Sequence, residues 1–135
     1  MKIVAVSGFF TVLHKGHIEL FEEAKRLGDY LIVIVNNNAQ QIKKKGELIH
    51  SCEDIKYMIE RLGMVNECVI SLDKDKTVCQ TLDKLRPDIF ANGGDRVADN
   101  IPEYKICDLL KIQMVFGVGG DKINSSSEIL AKGGK

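Results

Sequence analysis

Short apolar runs alternate with helical patterns along the whole chain. Residues 2–7 read as a first strand, built on Ile3-Val4-Ala5-Val6. Residues 18–27 follow as an amphipathic helix, with Leu20, Phe21, Ala24 and Leu27 on one face and Gly28 as a stop. Residues 30–35 form a continuous β-branched run of the kind buried on both faces of a parallel sheet. Ser51 and Asp54 resemble a helix cap, and Ile55, Met58, Ile59 and Leu62 make the apolar stripe behind it. Residues 67–72 read as a third strand and residues 77–85 as a short helix with Val78, Leu82 and Leu85 inward. Arg86-Pro87 breaks that helix before a fourth strand at 88–91. Pro102 opens a helix running to about Leu110, residues 113–118 form a fifth strand, and a last helix starts near Ser125.

Strands separated by helices predict an α/β fold: a single Rossmann-like, doubly wound domain over residues 1–135, with a five-stranded parallel sheet flanked by helices. Ligands of such sheets sit at the carboxyl ends of the strands, where strand order reverses. The loops after strands one, two, four and five are therefore expected to form one mouth. The tail 132–135 is expected to fray.

Composition changes this picture little. The formal charge is zero over 135 residues, which gives no global electrostatic case for nucleic acid or a membrane surface. The longest apolar run, residues 31–35, is far below the roughly 20 residues that span a bilayer. The chain enters strand-like sequence almost at once, so no signal peptide is expected. Cys52, Cys68, Cys79 and Cys107 form no CxxC pair, and they read as reduced thiols of a cytoplasmic protein, each a small apolar side chain.

The chemistry gathers in the segment Gly8-Phe9-Phe10-Thr11-Val12-Leu13-His14-Lys15-Gly16-His17. A strand, a glycine-bearing loop, two histidines and a helix place polar donors where a helix N-terminus collects phosphate oxygens. An imidazole can serve as a cation offsetting phosphoryl charge or as a neutral donor to an oxygen. Gly16 would let phosphate approach the backbone. A chance pair on a surface helix, or a zinc site with His50 as third ligand, are the alternatives. Ser125, Ser126 and Ser127 open the last helix; they cap it or cradle phosphates. Asn92-Gly93-Gly94-Asp95 follows the fourth strand, either as a plain turn or as a loop wrapping a planar ring, with Asp95 accepting from an amine or hydroxyl. Lys43-Lys44-Lys45 is a solvated charge run or a cationic contribution to the same mouth.

Gly8 to His17 resembles the GxFDxxHxGH signature of the small, cytidylyltransferase-like nucleotidyltransferases, matching at Gly8, Phe10, His14, Gly16 and His17, with Thr11 in the aspartate position. Glycerol-3-phosphate cytidylyltransferases and heptose-phosphate adenylyltransferases belong to that group. The serine trio is similar to the group's second signature, and the Gly-Gly-Asp loop to its base-recognising loop. Departures from the pattern are Ile55 and Leu130 at arginine positions, with Lys56 beside the first and Lys122 ahead of the serines.

The resemblance implies attack by a substrate phosphate on the α-phosphorus of a nucleoside triphosphate, with release of pyrophosphate. His14, His17 and Lys44 (or Lys45) would stabilise charge. Gly8, Phe9, Phe10, Thr11, Gly16, Asn92, Gly93, Asp95 and the serine trio would bind the nucleotide. Mg2+, a small phosphorylated acceptor and a homodimer are implied as well. The expected reaction is CMP transfer to an alcohol such as glycerol 3-phosphate. The alternatives are adenylyl transfer to a sugar phosphate and a nucleotide-binding protein without turnover.

Overall fold

The computed structural model describes residues 1–10, 12–93 and 102–119. In chain order the elements are β1 (Ile3–Gly8), α1 (Lys15–Lys25), β2 (Tyr30–Val35), α2 (Asn38–Lys45), α3 (Cys52–Glu60), β3 (Glu67–Ile70), α4 (Cys79–Leu85), β4 (Ile89–Gly93), α5 (Tyr104–Leu110) and β5 (Gln113–Val118). All five strands are parallel, in the order β3-β2-β1-β4-β5. The predicted doubly wound α/β sheet is therefore present.

Alternation along β1 sorts the core into two layers. Val4 and Val6 pack with Phe21, Ala24, Ile55 and Ile59, under α1 and α3. Ala5 faces the other way, among Val78, Leu82, Phe90 and Cys107, under α4 and α5. Leu31 and Val33 of β2 join the first layer and Ile34 the second, so this strand is apolar throughout because both its faces are covered. Burying each such aliphatic or aromatic side chain contributes about 1.5–3 kcal/mol.

Strand order reverses between β1 and β4. Their pairing covers only Val4–Ile89 and Ala5–Phe90, whereas β1 pairs with β2 along its full length, from Ile3–Tyr30 to Gly8–Val35. Among the described residues the last turn of β1 thus has a neighbour on one side only. That divergence opens a crevice at Ser7 and Gly8, at the switch point where ligands of this architecture bind.

Several expectations shift. A helix, α2, forms where only a charge run was read. Its buried side chains are Gln40 and Gln41, so apolar periodicity could not reveal it. Lys43, Lys44 and Lys45 are its last turn, where cations complement the helix dipole. Gly46 ends it at φ +85°, with its N–H donating to the Ile42 carbonyl at 2.8 Å. Helix α1 begins three residues earlier than the apolar pattern, because His14 caps it. Met58 is exposed rather than inward. The third strand stops at Ile70: the Ser71 N–H still donates to the Val35 carbonyl at 2.8 Å, but the Leu72 N–H turns away to the Thr81 hydroxyl at 2.9 Å. The last helix and the tail lie outside the described residues.

Candidate active site

The turn after β1 is set by Phe10. It is buried with φ +46°, a left-handed conformation that a bulky residue holds only under constraint. Its ring packs edge-on against Phe21 at 5.2 Å and His17 at 5.0 Å. The same ring lies back over Gly8, where an added Cβ would come within 2.6 Å of it. Gly8 is needed because Phe10 folds over it.

The two histidines are locked at the start of α1. The His14 Nδ1 accepts from the Gly16 N–H at 3.0 Å, and the His17 Nδ1 accepts from the His14 N–H at 3.3 Å. A nitrogen that accepts from a backbone N–H carries no proton, so the proton of each ring belongs on Nε2. The rings stack with centroids 4.0 Å apart and planes 24° from parallel. Burial, and then the neighbouring His14, lower the His17 pKa below the ordinary histidine value. His17 is thus a neutral donor at neutral pH, which favours the second of the two imidazole roles considered. Gly16 spends its N–H on His14 and so does not offer it to a phosphate.

These groups border a cleft of about 700 Å³. Gly8, Phe9, Phe10, His14, His17 and Lys44 line it together, as does Lys45. Lys44 Nζ sits 4.4 Å from the centroid of the Phe9 ring, a cation–π contact.

Other lining residues were not anticipated. Asn36 follows β2 directly and is buried, its Nδ2 donating to Gln40 Oε1 at 3.1 Å. A polar residue closing an unbroken apolar strand was the available signal. Lys76 and Val78 come from the loop after β3, which adds to the four loops expected to form the mouth. Pro102 and Glu103 lie beside them, and Glu103 is buried with its Oε2 accepting from the Val78 N–H at 3.0 Å.

Asn92 and Gly93 end β4 on the far side of β1. Asn92 is buried, and its Nδ2 turns back to the Phe90 carbonyl at 3.3 Å. Thr11, Asp95, Ser125, Ser126, Ser127, Lys122 and Leu130 lie outside the described residues. Ile55 is fully buried under the sheet, so it serves the core. Lys56 pairs with Glu60 on the outer face of α3. His50 is exposed, and among the described residues no cluster of three or more His, Cys, Asp or Glu could hold a metal. All four cysteines are free thiols, and burial pushes Cys68 and Cys107 up to about 12, which leaves them unreactive. No described helix is long and apolar enough to cross a membrane.

A five-stranded parallel sheet with a cleft at its switch point defines a Rossmann-like α/β domain. The profile of the cytidylyltransferase-like family matches residues 5–127, and the chain belongs to that family. It is a nucleotidyltransferase, acting on a nucleoside triphosphate and a phosphorylated acceptor. An FAD synthase of Picrophilus torridus is 37% identical over 133 residues, covering 96% of this chain and 93% of that one. A bifunctional HldE protein of Streptomyces coelicolor is 37% identical over 103 residues, which is 75% of this chain but 22% of that longer protein. A lipopolysaccharide core biosynthesis protein of Thermoplasma volcanium superposes with a TM-score of 0.74 at 25% identity, covering 90% of this chain and 99% of its own.

Proposed function

We propose that this protein transfers the adenylyl group of ATP to a phosphate monoester, with flavin mononucleotide as the leading acceptor. FAD is flavin mononucleotide joined through its phosphate to AMP, so an enzyme that makes it performs this reaction. The observation that carries the acceptor is the similarity to an FAD synthase along nearly the whole of both chains. It supports ATP over the CMP transfer expected from sequence. A sugar phosphate is the second reading, supported by the HldE relatives and the lipopolysaccharide-core neighbour.

An oxygen of the acceptor phosphate attacks the α-phosphorus, a P–O bond forms there, the α–β bridging bond breaks, and pyrophosphate departs. The nucleophile is already an anion, so no general base is required. The protein aligns the reactants and stabilises charge on the transferring phosphoryl group. His14 and His17 donate through Nε2, across each ring from the nitrogen that the backbone occupies. Fixing the donors before substrate arrives removes the reorganisation that water would need. Magnesium enters with the triphosphate as part of the substrate, held through phosphate oxygens. The serine trio and Asp95 complete the proposal at the outer phosphates and the nucleoside.

Pyrophosphate release tests it, with ATP or CTP set against flavin mononucleotide, a heptose phosphate and glycerol 3-phosphate. Release with ATP and flavin mononucleotide, and FAD as product, is expected. Release only with CTP and glycerol 3-phosphate would overturn the reading, and none with any pair would favour a binding protein without turnover.

A further inference from the structure

The loop between β3 and α4 carries Lys76 into the cleft beside Lys44 and Lys45 of α2. A lysine in an exposed loop is ordinarily a solvated group on a mobile backbone. This backbone is tied down on both sides of Lys76. Gln40 is fully buried, and its Nε2 donates to the Asp75 carbonyl at 2.6 Å and the Thr77 carbonyl at 2.8 Å. Its Oε1 accepts from Asn36 Nδ2 at 3.1 Å and the Asn37 N–H at 2.9 Å. Four bonds on one buried amide offset the cost of removing it from water.

Asn37 extends the tie. Its Nδ2 donates to the Ser71 carbonyl at 3.0 Å and the Asp73 carbonyl at 2.9 Å. Within the loop, Asp75 Oδ1 accepts from the Thr77 N–H at 2.9 Å and the Thr77 hydroxyl at 2.7 Å, closing a turn with Lys76 in the middle. Asp73 fastens the far end by accepting from the Gln80 and Thr81 N–H groups at 2.8 and 3.0 Å. The turn that presents Lys76 is thereby bolted to the helix that presents the other two lysines.

Sheet order gives this wall a direction. The β2 and β3 loops lie on one side of β1, and the β4 end with Asn92 and Gly93 on the other. The proposed function puts the nucleoside on the β4 side and the triphosphate at the imidazoles, which leaves the β2–β3 side for the incoming nucleophile, which must approach in line. We infer that Lys76, positioned by Gln40 and Asn37, joins Lys44 and Lys45 in a three-lysine seat for the phosphate of the acceptor. This rests on the phosphoryl-transfer reading above for the identity of that phosphate. Ammonium groups act as point charges without a fixed fork, so the seat suits a terminal dianionic phosphate on alcohols of differing shape.

Binding of inorganic phosphate tests the seat directly, with the protein alone and after saturation with α,β-methylene-ATP and magnesium. Lys76→Met keeps the stem and removes the charge. It is expected to weaken phosphate binding about tenfold or more, with affinity for the ATP analogue within about twofold. Unchanged phosphate binding, an equal loss for the analogue, or no phosphate binding by the wild type would overturn the assignment. Gln40→Met is expected to raise the acceptor KM with kcat retained. A lower melting temperature with KM unchanged would reduce Gln40 to a folding role. Phosphate binding sensitive to Lys76 without pyrophosphate release from any nucleotide would leave the seat standing while the transferase reading fell.

Discussion

The two walls of the cleft are held in different ways. On the histidine wall the side chains themselves are fixed: each Nδ1 is occupied by a backbone N–H, the rings stack, and Phe10 packs against the inner one. On the lysine wall the fixed part is the backbone, through Gln40, Asn37 and Asp75, beneath long side chains. Charge that develops in a transition state is best met by donors already in place. A phosphate that arrives fully charged can be met by flexible cations. On the proposed reading, rigidity belongs where charge changes during the reaction, and reach where charge is merely bound.

Removing one of the fixed imidazoles is expected to have the largest effect. His17→Ala is expected to lower kcat about 100-fold or more, in line with loss of a preorganised donor. Turnover assays at saturating substrates, with circular dichroism as the check on folding, read this out. An unchanged kcat would move the chemistry off the histidine wall.

The next largest effect concerns the support behind that donor. Gly8→Val drives a side chain into the Phe10 ring and is expected to cost about 1–3 kcal/mol of stability, as overpacking does elsewhere. Denaturant unfolding measures it. Stability equal to wild type would mean that the ring moves freely and that the histidine wall is softer than described.

The titration of His17 sharpens the comparison more gently. Its pKa is lowered in the folded protein, so between that value and about 6.5 the unfolded chain binds more protons. Stability should therefore be complete above about 6.5 and fall as pH drops through the folded value. His17→Phe should flatten that part of the profile. A profile unaltered by the substitution would contradict the buried, neutral imidazole.

The smallest effect lies away from both walls. The Glu23–Arg26 pair at 3.0 Å is well exposed, and Glu23→Gln is expected to change stability by less than about 0.5 kcal/mol and leave turnover unaltered. Thermal melts and the pyrophosphate assay check this baseline.

What could be read from sequence follows the same division. The strands and the helices α1, α3 and α4 announce themselves because burial demands either an unbroken apolar run, as in Tyr30–Val35, or an apolar period, as in the pair Ile55 and Ile59, and Pro102 marks the start of α5. The place of the two histidines on the cleft was legible because it depends on local spacing, two imidazoles three apart at a strand-to-helix junction. Helix α2 was not, since it buries glutamines rather than aliphatics. Lys76 was not, because only tertiary hydrogen bonds from Gln40 and Asn37 bring its loop to the cleft. The bond from the Gly16 N–H to the His14 ring was not legible either, since spacing alone does not show which way an imidazole turns.

Both imidazoles border the cleft with Nε2 left to donate, because the backbone holds their Nδ1 atoms. Nitrogen NMR of the protein labelled in its histidine rings, recorded at neutral pH without ligand, tests this most directly. His14 and His17 are each expected to show an unprotonated Nδ1 and a protonated Nε2. A protonated Nδ1 on either ring, or rapid exchange between the two forms, would contradict it.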